Sequence, residues 1–334
     1  MRMPAGFIRV QDAYSEVVMI FLSADIGGTR ARLMLGECVG DGWRMLRREI
    51  LPSGAFPDID SLLESFLRPD DLPVTACIAL AGPVEQDRAQ MTNLAWQLDA
   101  AALAERFALH RVRLINDFTA QAHGVPLLRA EDLCTLQTGA APDGGVCALL
   151  GAGTGLGMAV LAGTPDEPLV LASEGGHADF APQDEQQVEL WRRLHAEHGR
   201  VSLELLLSGH GLERLYRFLA PPSSAALDAA GISAAAHGGD AVAGATLALF
   251  ARLYGAAAGN LALTALARGG VYLCGGIAPR ILPFLQQPQV REAFCAKAPM
   301  RALLERIPLH VVRDEFLGLR GAAQVAAQLA RTAE

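Results

Sequence analysis

The sequence predicts an α/β fold built from two related halves. Short apolar β-branched runs alternate with segments of helical period, the pattern of strands interleaved with helices. Two of these runs open hairpins of the same layout, strand then Gly/Thr-rich turn then strand, at Val17 to Leu35 and at Val146 to Leu161. Polar residues stand at the carboxyl ends of the runs, where open α/β sheets keep their chemistry.

At 334 residues the chain is long enough for two modest domains, and 51 % hydrophobic with 19 % charged residues suits a packed globule rather than a disordered chain. A net charge of -8 without long blocks argues against partners that need a basic face, such as nucleic acid or an anionic membrane. The cysteines (Cys38, Cys77, Cys134, Cys147, Cys274, Cys295) are far apart, with no metal-ligand spacing, and read as buried thiols of a reducing cytosol. The apolar run Val17 to Leu22 is too short to span a bilayer. A cytoplasmic protein is expected.

Taken in order, residues 1–16 are mixed and aperiodic, and residues 1–18 are set apart in the domain division as an N-terminal extension; translation from Met19 is an open alternative. Val17 to Ala24 is a strand, Asp25 to Thr29 a tight turn, and Ala31 to Leu35 the returning strand. Asp58 to Leu67 is a helix capped by Asp58 or Asp60, Val74 to Leu80 a strand, and Asp99 to Phe107 a helix. Arg111 to Ile115 is a buried strand that delivers Asn116 and Asp117. The second hairpin follows, turning through Gly151-Ala152-Gly153-Thr154-Gly155-Leu156-Gly157 and returning from Met158 to Leu161. Glu185 to His198 is a helix with Val188, Trp191 and Leu194 inward, and residues 221–240 form a surface connection or loose helical insert. A long helix of small residues spans Ala241 to Ala267; Arg252, Asn260 and Arg268 argue against a membrane span. Val271 to Cys274 and Leu309 to Val312 are strands, and Leu319 to Ala330 closes the chain as a helix.

Several motifs carry chemistry. In Asp25-Ile26-Gly27-Gly28-Thr29 the glycines let backbone amides approach a phosphate, Thr29 adds a hydroxyl, and Asp25 is placed to face a metal ion through water. The plain alternative is a hairpin that needs positive φ. The turn from Gly151 to Gly157 offers a second cradle of amides; it fails the dinucleotide fingerprint, because Leu156 replaces the third glycine and a strand follows. A Walker loop is excluded, since the sole lysine, Lys297, follows no G-x-x-x-x-G. Glu174-Gly175-Gly176-His177 sets a carboxylate and an imidazole on a flexible bend suited to one small polyol, with a zinc site as the rival. Glu204, a lone acid in an apolar run, reads on its own as a solvated helix position. His195 and His198 read as surface residues, and Gly275-Gly276-Ile277 as a backbone platform for a nucleoside.

Taken together, Asp25-Ile26-Gly27-Gly28-Thr29, Met91-Thr92-Asn93, Ile115-Asn116-Asp117-Phe118-Thr119-Ala120, the turn from Gly151 to Gly157, Glu174-Gly175-Gly176-His177, Leu207-Ser208-Gly209 and Cys274 to Arg280 resemble the bacterial glucokinase family. The likeness runs in order from about Ile20 to about Ala322. It implies a two-domain actin-like (RNase H-like) fold of the hexokinase type, with sugar and ATP in an inter-domain cleft, usually as a homodimer. The expected division is a small α/β domain of residues 19–126 plus 318–334 and a large one of residues 127–317.

Carried over position by position, the resemblance makes Asp117 the catalytic base. Asn116, Asp117, Glu174, His177 and Glu204 then hold the sugar, and Ala24, Asp25, Ile26, Gly27, Gly28, Thr29, Gly153, Thr154, Gly275 and Gly276 face ATP, with Mg²⁺ near Asp25. Two positions depart from the family pattern: Ala24 stands where glycine is common, and Arg30 where asparagine is common. The cysteine-rich zinc motif of the sister family of repressors and sugar kinases does not follow His177. The implied activity is ATP-dependent phosphorylation of D-glucose to glucose 6-phosphate. A kinase for another hexose, a non-catalytic sugar sensor and a plain ATPase are the alternatives.

Overall fold

The structure is a computed structural model and describes residues 19–91, 94–140, 142, 144–164 and 167–332. Residues 1–18, read above as an extension, and Thr92 and Asn93 of the Met91-Thr92-Asn93 motif lie outside the described residues. Among the described residues fourteen strands form three sheets. The first sheet joins β1 (Ile20–Ile26), β2 (Arg30–Val39), β3 (Gly42–Pro52), β4 (Thr75–Leu80) and β8 (Arg111–Asn116) in the order β3-β2-β1-β4-β8. A small meander follows β4: β5 (Val84–Glu85), β6 (Arg88–Gln90) and β7 (Gln97–Asp99). The last sheet takes β9 (Leu133–Gln137), β10 (Cys147–Ala152), β11 (Leu156–Gly163), β12 (Pro168–Ser173), β13 (Gly270–Cys274) and β14 (Leu309–Val312) in the order β12-β11-β10-β13-β14-β9.

The internal repeat read from the two hairpins extends to whole sheets. In both, an antiparallel three-strand meander passes into a parallel crossover: β3-β2-β1-β4 corresponds to β12-β11-β10-β13 in order and in pairing sense. Parallel neighbours bring several carboxyl ends to one edge. In the first sheet Ile26 lies beside Leu80, and Leu80 beside Asn116. In the last sheet Gly151 lies beside Cys274.

Helices α1 (Ile59–Phe66) and α2 (Ala100–Arg106) cover one face of the first sheet, burying Leu62, Leu63, Phe66 and Leu103 against Leu22, Leu33 and Ile78. Both start on aspartates: Asp58 accepts from the Ser61 amide at 2.8 Å, and Asp99 from the Ala101 amide at 2.9 Å. Between the first and last sheets lies α3 (Asp117–Gly124). Its Ala120 packs with the first sheet, its Phe118 and Ala122 with the last. Helices α4 (Glu185–His198), α5 (Gly209–Leu219), α6 (Ala229–His237), α7 (Ala241–Ala265), α8 (Leu282–Leu285), α9 (Pro288–Cys295) and α10 (Arg301–Leu304) follow on the last sheet's side. The closing helix α11 (Leu317–Arg331) returns to the first sheet beside α3. The two helices touch closely, since a Cβ on Gly321 would stand 1.8 Å from the Ala120 carbonyl.

Several expectations are corrected. Asp25 and Ile26 end β1 rather than belonging to the turn, so the turn proper is Gly27-Gly28-Thr29. Only residues 153–155 form the second turn, because Gly151 and Ala152 lie in β10 and Leu156 and Gly157 in β11. The edge strand β3 escapes the periodicity because exposed charges interrupt it on both faces, as edge strands require. Helix α4 has the expected bounds but turns Gln187, Leu190 and Leu194 inward, leaving Val188 and Trp191 half-buried. The Gln187 amide tolerates burial because it donates to Asp184 and accepts from the Gln183 amide. Residues 221–240 contain α6, capped by Asp228. Three of the cysteines are buried and three half-buried; all are free thiols. Helix α7 is long and apolar enough to cross a membrane by composition, yet 67 % of its apolar window is buried in the fold.

Candidate active site

Asn116 ends β8 and caps α3, its Oδ1 accepting from the Phe118 amide at 2.8 Å, while its Nδ2 donates to the Gly82 carbonyl at 3.2 Å. Both ends of its amide are therefore held. Asp117 is the first residue of α3, and its Oδ1 also accepts from the Phe118 amide, at 2.9 Å. Burial pushes the Asp117 carboxyl up to about 6, and the nearby Asp25 carboxylate adds to the rise; the hydrogen bond from Phe118 offsets it only in part.

Asp25 reaches the same edge from β1. Burial raises its carboxyl as well, opposed by the Arg32 guanidinium 3.4 Å away, which lies across the β1–β2 pair. Arg32 went unremarked in the sequence, although a lone cation within the apolar return strand Ala31 to Leu35 is its signal. Helix α11 begins here too: a Cβ on Gly318 would stand 3.1 Å from Asp25 Oδ2. Beyond Asp25, the Gly27 amide donates to the Arg30 carbonyl at 2.9 Å to close the first turn, and Ser53 Oγ donates to the Gly27 carbonyl. Thr29 and Arg30 are exposed, while Ala24 is fully buried in the strand.

Three further predicted residues converge on the start of β11. Glu204 Oε2 accepts from the Leu156 amide at 2.9 Å, and its Oε1 lies 3.9 Å from His177 Nδ1. On the other side of the imidazole, His177 Nε2 is 3.9 Å from Glu174 Oε2. The bend carrying this pair packs directly on β11, since a Cβ on Gly176 would stand 1.9 Å from the Leu156 carbonyl. Glu204 sits in a turn, not on a helix, and its own amide donates to the Gly176 carbonyl at 2.9 Å. Long-range bonds thus bring Glu174, His177 and Glu204 together across about 30 residues of chain. Glu174 and His177 remain more than half exposed, open to a ligand.

The glycine turns of the last sheet meet beside them. The Gly153 carbonyl accepts from the Gly209 amide at the start of α5, and the Gly153 amide donates to the Gly155 carbonyl, both at 2.9 Å. Gly275 adopts φ of 80° and presses on the Ala152 carbonyl, where a Cβ would come within 2.6 Å, so only glycine fits. Neither Gly153 nor Gly276 has a neighbour within 4 Å of a would-be Cβ, which leaves the backbone open on that side. Among the described residues no three His, Cys, Asp or Glu side chains group as a metal site.

The glucokinase family model matches residues 22–329. The chain belongs to the glucokinase family. It is 39 % identical over 340 residues to a glucokinase of Trichormus variabilis, covering 93 % of this chain and 99 % of that protein. Its fold is similar to a crystal structure of glucokinase from an Antarctic psychrotroph, with a TM-score of 0.84, 34 % identity and coverage of 92 % of this chain and 99 % of that one. It is also similar to glucokinase from Balamuthia mandrillaris in complex with glucose, with a TM-score of 0.76, 25 % identity and coverage of 95 % and 96 %.

Proposed function

We propose that this glucokinase-family protein transfers the γ-phosphoryl group of ATP to the 6-hydroxyl of D-glucose. The observation that carries the reading is the link through Phe118: its amide donates to Asp117, whose carboxyl burial raises, and its ring packs on Gly151 and Gly157 of the hairpin whose return strand starts at the Glu174, His177 and Glu204 cluster. Family membership and the glucose-bound relative support the same substrate class.

In this reading the sugar is held by Asn116, Asp117, Glu174, His177 and Glu204. Carboxylates accept two hydroxyl protons each, which is how a polyol is gripped. Asp117 takes the proton from the 6-hydroxyl as the new O–P bond forms, the bond to the β–γ bridging oxygen breaks, and ADP leaves. Its raised pKa makes it a better proton acceptor than an ordinary aspartate. Residues Ala24 to Thr29, Gly153, Thr154, Gly275 and Gly276 face the nucleotide, where amides and hydroxyls spread phosphate charge without a lysine.

Magnesium fits the donor set. Mg²⁺ keeps several waters and binds one or two carboxylates plus substrate phosphates, and Asp25 beside Asp117 supplies carboxylate oxygens in an environment that already resists bare negative charge. When bound, the ion supplies neutralisation of the phosphates. The two main sheets are read as a small domain (19–126 plus 318–334) and a large one (127–317) of the actin-like arrangement. The site lies in the cleft between them, where closure around the sugar excludes water. A cytoplasmic homodimer is the accompanying expectation.

A coupled assay of ADP release across several hexoses and nucleotides tests the reading. Release that requires both Mg·ATP and glucose is expected. Thermal stabilisation by glucose without ADP release would make the protein a sugar sensor, and release without sugar an ATPase.

A further inference from the structure

The glycines at the ends of the second glycine motif do not sit at its tip. Gly151 and Gly157 are paired face to face across β10 and β11. Their missing side chains form a hollow, and the ring of Phe118 fills it. A Cβ on Gly151 would come within 2.4 Å of Phe118 Cζ, and one on Gly157 within 2.0 Å of Phe118 Cδ2. The ring is buried, packed further by Ala122, Leu149, Ala159 and Leu161. The backbone amide of this same residue donates both to Asn116 Oδ1 at 2.8 Å and to Asp117 Oδ1 at 2.9 Å.

We propose that Phe118 is a positioning residue for Asp117: its ring, seated on the Gly151–Gly157 pair, fixes the amide that orients both polar side chains at the head of α3. The inference rests on the reading of Asp117 as the base. It assigns Gly151 and Gly157 to the base rather than to the phosphates, and leaves the nucleotide to the tip at Gly153 and Thr154. The ring is also the point where the last sheet grips the helix that carries the base. A misplacement of about 1 Å at a reacting group costs about 10²-fold in rate, and a new Cβ at position 157 must push the ring by at least that much.

The test uses the full-length protein with Gly157→Ala, Phe118→Leu and their combination, assayed for glucose-dependent ADP release alongside thermal unfolding. Gly157→Ala is expected to lower kcat at least about tenfold while changing the KM for Mg·ATP by less than about twofold. Adding Phe118→Leu should restore part of the loss, because the smaller side chain makes room for the new methyl. Phe118→Leu alone should lower kcat and move the acid limb of its pH profile toward that of an ordinary carboxylate, since the base is less tightly enclosed.

A Gly157→Ala variant with normal kcat and raised KM for Mg·ATP overturns the inference, as does a double variant no better than the single. If Gly157→Ala does not fold, Phe118→Leu decides alone: an unchanged pH profile overturns the positioning role. Failure of the underlying reading looks different. There the wild-type protein makes no sugar phosphate, or Asp117→Ala keeps more than about a tenth of its kcat.

Discussion

Glu204 accepts a hydrogen bond from the Leu156 amide at 2.9 Å, so the acid proposed to meet the sugar is also tied to the hairpin whose tip is proposed to face the nucleotide. The bond explains the glycine before Leu156. A Cβ on Gly155 would stand 2.5 Å from Glu204 Oε2. Gly155→Ala is therefore expected to displace the carboxylate and raise the KM for glucose on the order of tenfold, with a smaller change for ATP. Steady-state kinetics with each substrate varied in turn checks this. A selective rise in the KM for ATP would return Gly155 to the phosphates.

The raised carboxyl of Asp117 has two consequences of opposite sign. With Asp117 as the proposed base the ionised form is the working one, so kcat/KM should fall on the acid side around pH 6 rather than near pH 4. For stability the sign reverses: a carboxyl whose folded pKa exceeds its unfolded value favours the fold when protonated, and that contribution fades as pH rises from about 4 through about 6. Asp117→Asn should abolish most activity yet stabilise the protein at pH 7.5 by on the order of 2 kcal/mol, with less gain at pH 4. Denaturant melts of both proteins at the two pH values decide it. A destabilised variant at pH 7.5 would contradict the assignment.

Arg32 opposes the burial of Asp25 from 3.4 Å. Arg32→Gln leaves that carboxyl without its cation, so its pKa rises further. The Mg²⁺ concentration for half-maximal rate should rise several-fold, and the rise should shrink as the pH is raised. A magnesium titration at each pH reads this directly. An unchanged response separates Asp25 from the metal.

Tyr254 on α7 is fully buried, and its hydroxyl joins three backbone groups: it accepts from the Ala152 amide at 3.0 Å and lies within bonding distance of the Leu150 and Cys274 carbonyls. These bonds splice β10 to β13 immediately beneath the Gly153 and Gly275 turns. Tyr254→Phe strands the Ala152 amide in the core and should cost about 1–3 kcal/mol in chemical denaturation. The KM for ATP is expected to rise as the turns loosen, and the KM for glucose to change less. Loss of stability with both KM values intact would confine Tyr254 to the core.

Much of the local architecture was legible in the residues. Asp58 and Asp99 capped the helices they were expected to start, and α4 and β14 kept their expected bounds. Such features depend on neighbours within one turn or one strand, which a linear reading contains. The edge strand β3 and the meander of β5 to β7 were not legible, because exposed charged strands carry little hydrophobic alternation. Glu204 is the instructive residue. Its own surroundings suggested a solvated helix, and only the family resemblance raised it to a site.

The amino-acid sequence by itself determined the α/β class, the place of the glycine turns and the polar pair at the end of β8, since these follow from periodicity, composition and capping over a few residues. Tertiary structure supplied the contacts by which Glu174, His177 and Glu204 share one patch, and it alone decided that Arg32 faces Asp25 and that Phe118 rather than a phosphate occupies the space left by Gly151 and Gly157. Each of those meetings is made by strand pairing or packing between segments distant in the chain, and the energy that selects among such pairings is summed over the whole core.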